Sequence, residues 1–202
     1  MDAETFLSHL RVALHTTWGE AKVSLKKPSE CSKYIFKALS EAAGSAGIDY
    51  RGHSYKRELL YDGVWLPQNG GVYRLPQVVI EHENGTSEEH FIYDMRKLIM
   101  AWAPLRVMIG YVPAGGNHKP VDRLATIRAA AEKGHWIYPA GCEDLALVGP
   151  YWMHTPRDYL VLHRPANTQT FVELGKLDSV VLPAAPQSPR QLLDAARGRR
   201  CD

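Results

Sequence analysis

Cysteine is scarce in this chain, and the few present stand apart. Cys31, Cys142 and Cys201 are odd in number, and none belongs to a Cys-x-x-Cys pair. A disulfide framework and a structural zinc site are both disfavoured, and the composition suits a reducing, cytoplasmic setting. Long apolar runs are missing too: no stretch approaches the ~18 residues that a membrane-spanning helix needs. The N-terminal segment MDAETFLSHLRVALHTTW lacks the cationic start of a secretory signal and reads as an amphipathic helix. Charge of one sign is not in excess. A net charge of +2 over 202 residues gives no global basic field, so any nucleic-acid surface has to be a local patch.

Missing motifs exclude further chemistry. The nine histidines show neither HxxxH nor HExxH spacing, which disfavours a zinc hydrolase. No GxSxG elbow supports acyl transfer. No glycine-rich turn opens a helix after a strand, so a Rossmann domain is not indicated. The stretch YVPAGGNHKP has a Gly-Gly pair without the Walker lysine, and it reads as a loop following a strand.

What is present is an alternation of helical and extended patterns. Apolar positions Phe6, Leu7, Leu10, Ala13, Leu14 and Trp18 predict a first helix. Tyr34, Ile35, Ala38, Leu39 and Ala42 predict a second, opened by Pro28 and Ser29 and stopped at Gly44. A polar connector, IDYRGHSYKR, follows. Two strands, about 58–66 and 73–83, are then joined by PQNGG, whose Asn-Gly-Gly tolerates positive φ. Ser87 is the expected N-cap of a helix whose buried stripe is Phe91, Met95, Leu98, Ile99 and Trp102, with Pro104 beyond its end. Residues 105–113 read as an interior strand, VDRLATIRAAAEKG as a helix, and EDLALVG, DYLVLHRP and TFVEL as three short strands. The order predicts a single α/β domain over 1–182, a mixed central sheet flanked by helices. Pro183, Pro186 and Pro189 mark a stiff linker to a short C-terminal helix within 183–202.

One segment breaks the pattern. In YRLPQVVIEHENG, Val78, Val79 and Ile80 belong in the interior, yet Glu81 and Glu83 follow on the same strand. Side chains alternate along a strand, so both glutamates project to one face and Ile80 and His82 to the other. Asp62 is a third acid in an apolar setting, among Leu60, Tyr61, Val64 and Trp65. If the two strands pair about PQNGG, Asp62 approaches Glu81. Three converging carboxylates repel unless a cation neutralises them, and oxygen ligands select a hard divalent ion, magnesium by default. The plain alternative is a strand end and a turn residue emerging into water.

Asp62, then Glu81-His82-Glu83 on the next strand, then a helix and a buried strand, resembles the PD-(D/E)xK nuclease superfamily and its restriction-endonuclease-like fold. The resemblance covers roughly residues 55–115. Tyr61 stands where the motif has proline, and Glu83 where it has lysine. Some members carry Glu-x-Glu there, and others move the lysine to the following helix, where this chain has Lys97. The resemblance implies magnesium-dependent (or manganese-dependent) hydrolysis of phosphodiester bonds, most readily in DNA. It implies that Asp62 and Glu81 hold the ion, with the His82 carbonyl and a helix glutamate (Glu41, with Glu30 and Glu58 competing) as further ligands, and that Glu83, as a metal ligand or water-orienting base, and Lys97 are catalytic. By helical periodicity Lys97 falls away from the apolar stripe, so its competing reading is a solvated lysine. Glu41 has the competing reading of a helix-surface charge, and His82 that of a core histidine. Lys56 and Arg57, leading into the Asp62 strand, and His118 and Lys119 are candidate phosphate contacts. A homodimer would supply a second site for a second strand. The other functional reading keeps the fold and loses the turnover: a catalytically impaired nucleic-acid- or protein-binding module, to which the missing lysine points.

Overall fold

The structure, a computed structural model, describes residues 1–21, 28–52, 61–68, 74–113, 117–151 and 158–180. Within them lie helices α1 (Ala3–Ala21), α2 (Pro28–Ser45), α3 (Glu88–Ile99) and α4 (Asp122–Gly134). The strands are β1 (Ile48–Gly52), β2 (Gly63–Pro67), β3 (Val78–His82), β4 (Leu105–Val112), β5 (Glu143–Pro150), β6 (Leu160–Arg164) and β7 (Val172–Lys176). All seven strands join one sheet in chain order. β3, β4 and β5 run parallel, and every other neighbouring pair is antiparallel. The two parallel steps are the ones that α3 and α4 bridge, since a parallel neighbour requires a crossover. The fold is α/β, a mixed central sheet with helices on both faces.

Alternation along the strands divides the core in two. Val78 and Ile80 of β3, with Val107, Ile109 and Tyr111 of β4, pack against the apolar stripes of α1 and α2. Val79 and Met108 face the other way, against Phe91, Met95 and Leu98 of α3 and Ile127 of α4. Gly110 is what lets α3 come so close: a Cβ there would stand 2.6 Å from Phe91 Cδ2. Between β4 and β6, Asp144 accepts from Arg106 Nε at 2.6 Å and Nη2 at 2.9 Å, and also from Arg164 Nε. All three side chains are buried, and Arg106 ties the sheet to α3 by donating from Nη1 to the Ile99 carbonyl at 3.0 Å.

Several expectations change here. The supposed connector after α2 contains β1, a full partner of β2. Its five residues are too few, and too mixed with Asp49 and Arg51, to show alternation. Gly44 does not stop α2. The helix runs on to Ser45, and the left-handed residue is Gly47 at φ 67°. Trp102 is not part of the buried stripe: α3 ends at Ile99, and Trp102, beyond it, is 86 % exposed. β2 begins at Gly63, so Asp62 sits in the bend just before the strand. Residues 183–202, where the linker and short helix are expected, lie outside the described residues.

Candidate active site

The β2–β3 ladder pairs Gly63 with Ile80 and Val64 with Val79. One step further out, that register sets Asp62 opposite Glu81, as pairing about PQNGG requires. The Asp62 carboxylate is fixed there: the His82 backbone N–H donates to Asp62 Oδ2 at 3.0 Å. Glu81 shares its face of the sheet with Val79, looking toward α3, and is only 2 % exposed. A carboxylate so placed needs a cation or a proton.

Lys97 supplies the cation. Its ammonium lies 2.8 Å from Glu81 Oε1 and 3.6 Å from Asp94 Oδ1. Helical side chains lean toward the N-terminus of their helix, so a residue in the last turn of α3 reaches back to a carboxylate on β3. At 2.8 Å the ammonium is within hydrogen-bonding reach of Glu81 Oε1 as well as being its charge partner. Burial pushes the Glu81 carboxyl up to about 8, with the charges of Asp62 and Asp94 adding to the rise and Lys97 offsetting part of it. Asp94 is raised as well, first by burial and then by the charges of Glu83 and Asp62 against the pull of Lys97. Burial works against the Lys97 charge, but Glu81, Asp94 and Asp62 together outweigh it and hold the ammonium above its usual range.

Glu83 is engaged differently. Its Oε1 accepts from the Gly85 N–H at 2.5 Å, closing the turn before α3, and its Oε2 stands 3.8 Å from His90 Nδ1. His82 turns its ring to the opposite face, where Nε2 meets the Tyr111 hydroxyl at 2.9 Å and the ring lies edge-on to Phe36. Glu41 is also remote in kind: it pairs with Lys37 at 3.7 Å on α2, the helix layer across the sheet from Glu81. His118 and Lys119 are exposed in the loop after β4, at the same end of the sheet as Glu83. Lys56, Arg57 and Glu58 fall outside the described residues. Asp94 escaped sequence reasoning altogether. Its one signal was spacing, an acid three residues before Lys97 on a helix, which places the two side chains side by side.

Among the described residues, no group of three or more His, Cys, Asp and Glu side chains is arranged to hold a metal ion. Asp62, Glu81 and Glu83 therefore do not form a shared three-carboxylate cage among the described residues. Asp62 and Glu81 remain as carboxylates at facing register positions, with the Lys97 ammonium 2.8 Å from Glu81 Oε1. That set fits magnesium, which keeps several waters and takes one or two protein carboxylates together with substrate phosphate. Two surface clefts of about 370 and 570 Å³ lie elsewhere, one between α4 and the approach to β7, the other around Trp102, Pro67 and Pro104. The acidic cluster lies at a strand end. No protein-family model, curated protein or solved structure matches the chain.

Proposed function

We propose that the protein is a divalent-cation-dependent nuclease acting on phosphodiester bonds, most readily those of DNA, with Asp62, Glu81 and Lys97 as its reactive group. The observation that carries this reading is the placement of Lys97 against a buried Glu81 that faces Asp62. Two acids from adjacent strands and a lysine delivered by the following helix reproduce the residue types of the PD-(D/E)xK motif, with the lysine coming from Lys97 instead of the position held by Glu83.

Each side chain has a task. Asp62 and Glu81 would hold the magnesium or manganese ion, which when bound supplies a Lewis acid that acidifies water and neutralises charge on the phosphate. Lys97 offers a fixed positive charge beside Glu81, suited to a phosphate oxygen that becomes more negative in the transition state. The His82 N–H keeps Asp62 oriented. Glu83 shapes the turn at the rim of the site, and we assign it no direct step. His118 and Lys119, exposed at the same end of the sheet, are phosphate-contact candidates.

Supercoiled plasmid incubated with Mg2+ or Mn2+ tests the reading. Nicking by the wild-type protein that disappears in Asp62→Ala and in Lys97→Met is the expected result. Nicking that survives in both variants, or no nicking with any divalent ion, overturns it, and DNA binding in the latter case points to a non-catalytic binding module.

A further inference from the structure

We propose that Asp94 is a positioning residue that anchors the Lys97 ammonium in the site. This rests on the nuclease reading for its purpose, but its evidence is independent geometry. Lys97 is not among the buried apolar residues of α3, and its ammonium is directed at two carboxylates. Yet its side chain is only 26 % exposed, unlike a lysine extended into water. Two carboxylates bracket the ammonium, Glu81 from the sheet at 2.8 Å and Asp94 from its own helix at 3.6 Å. Asp94 is itself largely covered, its side chain 15 % exposed, which sets this contact apart from an ordinary surface pair three residues apart.

The two brackets differ in what else they do. In the proposed reaction Glu81 also binds the ion, so its hold on Lys97 is shared. Asp94 has no such second duty, and being on the same helix it moves with Lys97 when α3 shifts against the sheet. Its negative charge therefore keeps the lysine turned toward the reacting phosphate while Glu81 is engaged. Among the described residues, the acids that face this ammonium are Asp62 from the bend just before β2, Glu81 from β3 and Asp94 from α3.

The test separates access from turnover. Wild-type protein, Asp94→Asn, Asp94→Ser and Asp94→Glu are treated with a limiting amine-reactive reagent, and Lys97 modification is read by peptide mass spectrometry against the exposed lysines Lys119 and Lys133. Lys97 in the wild type is expected to react several-fold more slowly than those references. Loss of the anchor in Asp94→Asn and Asp94→Ser is expected to raise its rate by roughly three- to tenfold, and Asp94→Glu to restore protection. With two neutral variants, a folding failure in one leaves the other to decide. Equal Lys97 reactivity in the wild type and a folded neutral variant overturns the proposal. On plasmid, the neutral variants are expected to lose kcat with KM little changed, and unchanged kcat overturns it as well. If the wild type never nicks DNA while the labelling pattern holds, it is the nuclease reading that fails and the anchor that stands.

Discussion

Lys97 Nζ rests 2.8 Å from Glu81 Oε1, an ion pair between the last turn of a helix and a strand residue that solvent scarcely reaches. The pair makes the interior acid tolerable without removing its cost. Burial still favours the protonated form of Glu81. Such unresolved electrostatics concentrate where proteins bind ligands or do chemistry.

Stability should fall as pH rises through the window this acid defines. Its folded value of about 8 lies above the ordinary 4.5. Between those limits the folded chain keeps a proton that the unfolded chain has released, so stability is fully present below about 4.5, declines as pH rises and levels off above about 8. Asp94, also raised, acts in the same direction. Denaturant unfolding at pH 5 and pH 8 is expected to differ by ~3 kcal/mol. Glu81→Gln, which cannot ionise, is expected to flatten most of that difference; an unchanged pH slope in the variant would contradict the assignment.

Gly110→Ala tests how closely α3 must sit. The added methyl would meet Phe91 Cδ2 at 2.6 Å and Cε2 at 2.7 Å, and a ring clamped between helix and sheet yields poorly. A loss of ~1–3 kcal/mol is expected from the overpacking. Because Phe91 and Lys97 share α3, amine labelling of Lys97 should rise in the same variant.

Asp144→Ala should be among the most damaging single changes. It would leave Arg106 and Arg164, both fully buried, without the carboxylate they share. Removing one member of a buried charge cluster costs ~3–5 kcal/mol, readable as a drop in thermal midpoint.

Tyr50→Phe should do the opposite. The Tyr50 ring lies across the facing glycines Gly52 and Gly63, where an added Cβ would come within 2.6 Å and 3.0 Å of ring atoms. Its hydroxyl is buried with no hydrogen-bond partner among the described residues. Deleting an unsatisfied hydroxyl should be neutral or stabilise by ~1 kcal/mol. A clear destabilisation in thermal melting would show that the hydroxyl is engaged.

The sequence carried most of the architecture, since long periodic segments such as α1, β4 and α4 announce themselves in one dimension. It carried the Asp62–Glu81 approach too, because strand alternation and antiparallel pairing of β2 with β3 suffice to set two acids opposite each other. It failed where a decision depended on a partner. β1 is five residues long, and it is a strand because β2 lies beside it. Lys97 violates the apolar stripe of its own helix, and helical periodicity alone assigns it to solvent. Only the acids on the neighbouring sheet and on the preceding turn show why it points inward. Glu83 was read with Glu81 because alternation puts them on one side, but the Gly85 N–H claims it for the turn. Glu41 fell away for a related reason: a helix acid opposite a sheet site is indistinguishable in sequence from one beside it.

The central claim is that Asp62 and Glu81 together bind a divalent ion, and a calorimetric titration of Mn2+ into the wild-type protein and Glu81→Ala at pH 8 addresses it most directly. Saturable binding in the wild type that vanishes in the variant, while the variant remains folded by circular dichroism, is the expected result. No heat of binding in the wild type, or the same isotherm in both proteins, would contradict it.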